Sequence, residues 1–254
     1  LFESPPLSHY ALCLWQLEGH EETVAFRHIP KCQSMLMFHY GGNTQVQIRD
    51  EAFVIPPVYI MPIVNTSSFA QLENTQLLGI SFINDGLYRL FQKPISQLVS
   101  NMPTPHDYRL QQLWQSIEGK ELKEAKDLLE PFLEETLSLA PSPAGFDKAL
   151  ARITETRGCL SVQELCREAA ISDRSLQRHF KERIGISPKQ FSKITRVNAY
   201  LHQLLQEEEQ DWMQAVVSFN YHDQPHLINE FKSLIRLSPR DLMKYRDSLY
   251  QQLD

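Results

Sequence analysis

Hydrophobic and polar positions change texture along this chain. In the first hundred residues the apolar positions come in short β-like runs: Tyr10–Leu17, Thr23–Ile29, Met35–Tyr40, Val46–Arg49 and Leu77–Ile83. Alternation such as Thr44-Gln45-Val46-Gln47-Ile48-Arg49 predicts a half-buried strand, and Gly41-Gly42-Asn43 predicts a turn. The period then becomes helical. Leu122, Ala125, Leu128, Leu129, Phe132 and Leu133 recur at i+3 and i+4, which predicts a helix with one apolar face. Beyond Pro141-Ser142-Pro143-Ala144-Gly145, a stiff-then-flexible stretch that reads as a linker, every pattern is helical. The expectation is a β-rich domain with helices over residues 1–143 and an all-helical domain over 144–254.

The second part repeats itself with a 51-residue offset. Leu176-x-x-x-Phe180-Lys181, then Ser187-Pro188, returns as Leu227-x-x-x-Phe231-Lys232, then Ser238-Pro239, and Phe191 matches Leu242. Leu and Phe four apart share a helix face and anchor it to a core. Ser-Pro starts a helix, serine capping and proline taking the first turn. A shorter helix and a turn precede each copy. The first set is Val162–Ala169, Ala170-Ile171-Ser172 and Asp173–Ile184. The second is Asp211–Phe219, Asn220-Tyr221-His222 and Asp223–Leu234. Asp173 and Asp223 are the expected N-caps. Helix, three-residue turn, helix is the helix-turn-helix arrangement, whose second helix can enter a major groove. One copy could be mere packing. Two in register, with basic exposed positions, point to DNA.

Charge first contradicts this reading and then supports it. The 254 residues carry a net charge of −6, where a nucleic-acid binder usually shows a basic excess. The average hides two unlike parts. Residues 1–143 hold 9 basic and 16 acidic side chains, residues 144–254 hold 16 and 15, and the stretch 167–196 holds 8 and 3. Acidity in the second part gathers at Glu207, Glu208, Glu209 and Asp211. At 42% hydrophobic and 22% charged, the composition excludes disorder, collagen and coiled coil as the main theme. The most apolar stretch, Phe53–Val64, is too short to span a membrane and contains three prolines. Four cysteines without a CxxC pair read as reduced thiols. With no N-terminal signal pattern, they predict a cytoplasmic protein.

The stretch Leu160 to Tyr245 resembles the DNA-binding domain of AraC/XylS-family bacterial transcription regulators. The matching pieces are LSVQELCREAAISDRSLQRHFKERIGISP and AVVSFNYHDQPHLINEFKSLIRLSP, joined by a helix bearing Arg196-Val197-Asn198-Ala199 and Leu204-Leu205. The resemblance implies two helix-turn-helix units on a long linker helix, each placing a recognition helix in the major groove. A linker from Pro188 to about Gln206 would be about 28 Å long at ~1.5 Å per residue, compatible with recognition helices roughly 34 Å apart, one DNA turn. Asn220 and Arg236 stand where the family commonly has glycine. Asn tolerates a left-handed backbone; Arg tolerates it less, so a differently built turn is expected at Arg236.

The resemblance places the base-reading positions at Arg174, Gln177 and Arg178 in the first unit, and at Gln224, Pro225, His226 and Asn229 in the second. Arginine can read guanine bidentately and glutamine can read adenine. The second set is less basic, so weaker or shape-dependent readout is expected there. Lys181, Lys189, Lys232 and Arg240 are candidate phosphate contacts, helped by the amides of the helices starting at Ser187 and Ser238. An ordinary solvated face is the alternative at each of these positions.

The first part also resembles sensor or dimerisation domains of such regulators, through LCLWQLEG (12–19), IPKCQSMLMFHYGG (29–42) and LGISFINDGLYRLFQKPISQL (78–98), and this implies a cupin-like barrel or sandwich. The histidines at 9, 20, 28, 39 and 106 form no His-x-His with a nearby carboxylate. His222 and His226, four apart on a helix, lack further ligands, so no metal and no cofactor are expected. No GxSxG, P-loop or Cys/His pairing suggests an enzyme. Trp15, Phe26, Phe38, Tyr40, Phe53, Tyr59, Phe69 and Phe82 could line a small-molecule pocket or form the core. The helices of 107–139 could form a dimer seam or pack on the barrel. The expected function is a DNA-binding transcription regulator, read as an activator, controlled through its N-terminal domain. Double-stranded promoter DNA is the expected partner; RNA polymerase, a small-molecule effector and a second copy are further candidates, and no membrane is. Two other readings stay open: a protein-interaction regulator whose degenerate helix-turn-helix no longer binds DNA, and an Ada-like repair regulator using Cys32.

Overall fold

The computed structural model describes residues 1–19, 24–41, 45–48, 51–72, 74–98, 108–206 and 212–245. Eight strands come first: β1 (Ala11–Gly19), β2 (Val24–His28), β3 (Ser34–Gly41), β4 (Gln45–Ile48), β5 (Glu51–Val54), β6 (Val58–Met61), β7 (Ser68–Leu72) and β8 (Thr75–Phe82). They form two four-stranded antiparallel sheets, ordered β1-β8-β3-β6 and β2-β7-β4-β5. All five expected strand runs are present. β5, β6 and β7 were not expected, because prolines and short length mask their period. The turn at Gly42-Asn43 and the residues Thr44 and Arg49 lie outside the described residues.

Strand β3 lies between β8 and β6, and seven of its eight residues are buried. Leu36, Phe38 and Tyr40 face one cluster; Met35 and Met37 face another with Tyr59, Leu77 and Trp15. Period-two side chains on a strand covered on both sides give this continuous apolar run. Gly79 sits opposite Trp15 in register, and a Cβ there would lie 2.4 Å from the indole, so glycine makes room for the ring. The Trp15 indole N–H donates to Ser81 Oγ at 3.0 Å.

Helices α1 (Gly86–Phe91), α2 (Ile95–Leu98), α3 (Tyr108–Ile117) and α4 (Leu122–Thr136) follow. Leu110, Ile117, Ala125, Leu129 and Leu133 join the cluster of Leu36 and Phe38, so the inward faces of α3 and α4 pack on the first sheet. Tyr40 and Trp114 stack with centroids 5.6 Å apart, the tyrosine donating to Trp114 O and the indole to His39 O. Leu122 and Leu128 lie off this face and are exposed, which corrects the expected stripe. Phe38, Tyr40, Tyr59 and Phe82 are core; the side chains of Phe26, Phe53 and Phe69 lie outside those described.

The remainder is helical: α5 (Phe146–Glu155), α6 (Val162–Ala169), α7 (Asp173–Arg183), α8 (Pro188–Gln206), α9 (Trp212–Ser218), α10 (Gln224–Ile235) and α11 (Pro239–Leu242). Its core runs through all seven helices, and Ile29 and Ile63 of the N-terminal part belong to the same cluster. The repeat explains the packing. Phe180 meets Phe191 of α8 edge-on at 5.7 Å, and Phe231 meets Tyr200 of α8 in the same way at 5.7 Å. Each unit is thus pinned by its repeated phenylalanine to one end of the same helix.

Candidate nucleic-acid interface

The first unit is α6, a turn and α7. Ser161 and Glu164 form a capping box at the start of α6. Ala170 ends α6 in the left-handed region. Ser172, not Asp173, caps α7 by accepting from Ser175 N–H, and Asp173 is the first helical residue. An extended Ser172 fits that cap, and Asp173 still favours the positive helix end. Leu176 and Phe180 are buried, whereas Arg174, Arg178 and Lys181 are exposed and Gln177 is half-buried. The Gln177 amide donates to Asp173 Oδ1 at 3.3 Å, which steers it along the exposed face. His179 lies beside Arg178 on the same helix. Burial first, then the Arg178 and Arg183 charges, push its imidazole below the ordinary range.

The second unit is α9, a turn and α10. Asn220 adopts the left-handed backbone that the sequence allowed. Asp223 caps α10, accepting from His226 N–H at 2.7 Å, and Pro225 occupies its first turn. Gln224, His226 and Asn229 are exposed. His222 precedes the helix, so the two histidines do not share a helix face; His226 Nδ1 instead accepts from His222 N–H at 3.4 Å. Among the described residues no three His, Cys, Asp or Glu side chains gather as metal ligands; His20 and His106 lie outside those residues.

The turn at Arg236 is not built differently. Arg236 takes φ +65°, as Gly185 takes +91° at the matching place of the first unit. The strain of an arginine there is on the order of 1–3 kcal/mol, which the surroundings must hold. Ser187 and Ser238 both start their helices as expected, accepting from Gln190 and Asp241 N–H. Lys181, Lys189, Lys232 and Arg240 are all exposed.

The second unit is fixed to α8 by a buried network. Arg196 donates to both Glu230 oxygens at 2.7 to 2.9 Å and lies 4.7 Å over the Tyr221 ring. The Tyr221 hydroxyl donates to Glu230 at 3.0 Å, and burial, with the Glu230 charge added, pushes its pKa up. The stretch Glu207–Glu209 and Asp211 lies outside the described residues.

The N-terminal part grips both recognition helices at their C-terminal ends, and the sequence reading missed this. Asp85, between β8 and α1, is 1% exposed. One oxygen accepts from Arg89 Nε at 2.8 Å, the other from Arg183 Nε of α7 at 2.8 Å. Arg183 lies 4.2 Å over the Tyr88 ring. Arg89 also holds the linker, donating to Ser138 O, Ala140 O and Ser142 Oγ. A Cβ on Gly185 would lie 2.6 Å from Ile95 of α2, so glycine lets α2 close on the end of α7. At the other unit, the Ser67 N–H and hydroxyl donate to Leu234 O and Ile235 O at 2.8 and 2.9 Å, satisfying the last carbonyls of α10. Arg236 Nε donates to Thr66 Oγ1 at 2.8 Å.

Between these grips, Asn198 of α8 donates to Pro30 O at 2.8 Å, and the Cys32 thiol contacts Thr195 Oγ1 at 3.3 Å. Burial pushes Cys32 up to about 12, so it is no ready nucleophile and the Ada-like reading loses its candidate. One signal of the first grip was available. Leu176, Phe180 and Arg183 are spaced i, i+4, i+7, which puts Arg183 on the buried face of its helix.

The family comparison matches these elements. Residues 165–245 match a helix-turn-helix domain family. This part of the chain therefore carries a helix-turn-helix domain. Residues 3–102 match a domain of unknown function, DUF6597. A comparison with curated proteins gives no match. Among solved structures, the chain is similar to ToxT from Vibrio cholerae, at 10% identity over 91% of this chain and 96% of that one, with a TM-score of 0.47. It is also similar to ToxT bound to an unsaturated fatty acid, at 12% identity over 96% and 97%, TM-score 0.45. An AraC-type DNA-binding domain protein from Chromobacterium violaceum matches at 20% identity over 40% and 91%, TM-score 0.37.

Proposed function

We propose that this chain is an AraC/XylS-family, sequence-specific DNA-binding transcription regulator, acting as an activator. In this reading residues 144–254 bind the promoter and residues 1–143 sense a signal. The observation that carries it is the exposed arginine-rich face of α7, set on a helix whose opposite face is locked into the core. Arg174, Gln177 and Arg178 read bases; Gln224, His226 and Asn229 add weaker readout; Lys181, Lys189, Lys232 and Arg240 hold phosphates. The three contact regions between the parts support control. A ligand or partner favouring one arrangement of the N-terminal part would shift how both recognition helices dock. RNA polymerase and a second copy are partners in the same reading, and the cytoplasm is its compartment.

The test is selection of duplexes from a random pool by the full chain, followed by salt titration of the winner. An enriched motif, with affinity falling as salt rises, is the expected result. Absence of any enriched sequence would favour the interaction-module reading, in which the helix-turn-helix no longer binds DNA.

A further inference from the structure

A cleft of about 240 Å³ opens where the residue 65–67 loop meets α8 and α10, lined by Asn65, Thr66, Gln190, Lys193, Ser233 and Arg236 among others. Its volume is below the ~300–1,000 Å³ of drug-sized pockets, so the space suits a small metabolite. Its charge is one-sided: Lys193 and Arg236 line it, and among the described residues no carboxylate does. Among the described residues Lys193 has no counter-ion. The one hydrogen bond seen for the Arg236 side chain uses Nε, toward Thr66. The terminal nitrogens keep their donors, with the geometry that suits an oxyanion.

The position of Arg236 is the second observation. The repeat has glycine at the matching place, Gly185, and the backbone at 236 is left-handed. Glycine would close this turn without strain. An arginine stands there instead, and its side chain crosses to the N-terminal part.

We propose that this cleft binds a small oxyanion, a carboxylate or phosphate on a metabolite-sized molecule, through Lys193 and Arg236. The cleft joins the N-terminal loop to the linker helix and to the end of the second recognition helix. Occupancy would tighten that junction, so the site names the chemical class of the effector and rests on the regulator reading above.

The experiment is isothermal titration of the full chain, without DNA, with inorganic phosphate, succinate and uncharged succinamide at fixed ionic strength. Arg236→Gly relaxes the turn and keeps the chain foldable, and Lys193→Gln removes the other cation. Saturable binding of phosphate or succinate, no binding of succinamide, and about tenfold or weaker affinity in each variant are expected. No binding of either anion, equal binding by the variants, or binding of succinamide overturns the proposal. A non-specific duplex tests the other source of phosphate. If Lys193→Gln weakens duplex binding while neither small anion binds, the cleft holds DNA backbone and the effector proposal fails. The regulator reading stands or falls separately, on duplex selection.

Discussion

The two helix-turn-helix units share one repeat and differ at both ends of their recognition helices. Helix α7 presents Arg174 and Arg178 at its free end and is anchored at the other by a buried ion pair, Arg183 to Asp85. Helix α10 presents Gln224, His226 and Asn229, and is anchored by hydrogen bonds from Ser67 to its last carbonyls. The same fold serves two purposes. Charge at the exposed end suits reading guanine, and charge at the buried end makes that unit's attachment costly to break. The second unit is held by the Ser67 hydrogen bonds, by one from Arg236 to the Thr66 hydroxyl and by its own link to α8, with no ion pair to the N-terminal part among the described residues, so its hold there is the easier to release.

The comparison can be broken most severely at Asp85. Asp85→Ala leaves Arg89 and Arg183 buried without their counter-ion and should cost about 3–5 kcal/mol, read by denaturant unfolding. A loss below ~1 kcal/mol would show that the first anchor is not the stronger one.

Acid should act next, on the segment between the two anchors. Both ring nitrogens of His28 are shielded and have no hydrogen-bond partner among the described residues, and burial, with the Lys31 charge beside it, pushes its pKa down to about 4. The unfolded residue takes up a proton near 6.5, the folded one near 4. Stability is therefore full above pH ~6.5 and falls as pH drops toward 4, by up to ~3 kcal/mol. His28→Gln should flatten the profile in that window; an unchanged profile would assign the acid loss elsewhere.

On DNA, Arg178→Ala should weaken the selected duplex by about 1–3 kcal/mol and relax preference at one base pair, whereas Asn229→Ala should cost less than that. Equal losses across a base-substitution panel would erase the distinction between the readers. Ser67→Ala should cost about 1 kcal/mol of stability, the smallest effect, since it removes one hydrogen bond and leaves the Ser67 N–H to Leu234 in place.

These contrasts show what was legible in the sequence. The repeat fixed α6, α7 and α10 to within a residue or so, because Leu and Phe at i, i+4 and Ser at a helix start are local signals. Ser172 rather than Asp173 as the cap was a one-residue choice between two good capping residues. β5 to β7 were hidden because Pro56, Pro57 and Pro62 interrupt the alternation. The candidates on α7 and α10 followed from the family resemblance, and helix geometry put those of α7 on the outward face. The grips did not, since Asp85 and Arg183 are 98 residues apart and their pairing is decided by tertiary contact. Arg236 was expected to alter its turn, but a neighbour across the seam holds it in the strained form.

The Arg183–Asp85 pair also bears on how this protein should be cut. Residues 144–254 produced alone would turn that guanidinium out to solvent at the C-terminal end of α7, without the carboxylate that now pairs with it. The apolar seats now filled by Ile29 and Ile63 would open as well. Because Arg183 shares the face of α7 that carries Leu176 and Phe180, such a fragment should lose stability in denaturant rather than gain a contact on the face of Arg174 and Arg178. Intact, Asp85 keeps that guanidinium paired and buried, so the domain cut out alone is not the domain as it sits in the whole chain.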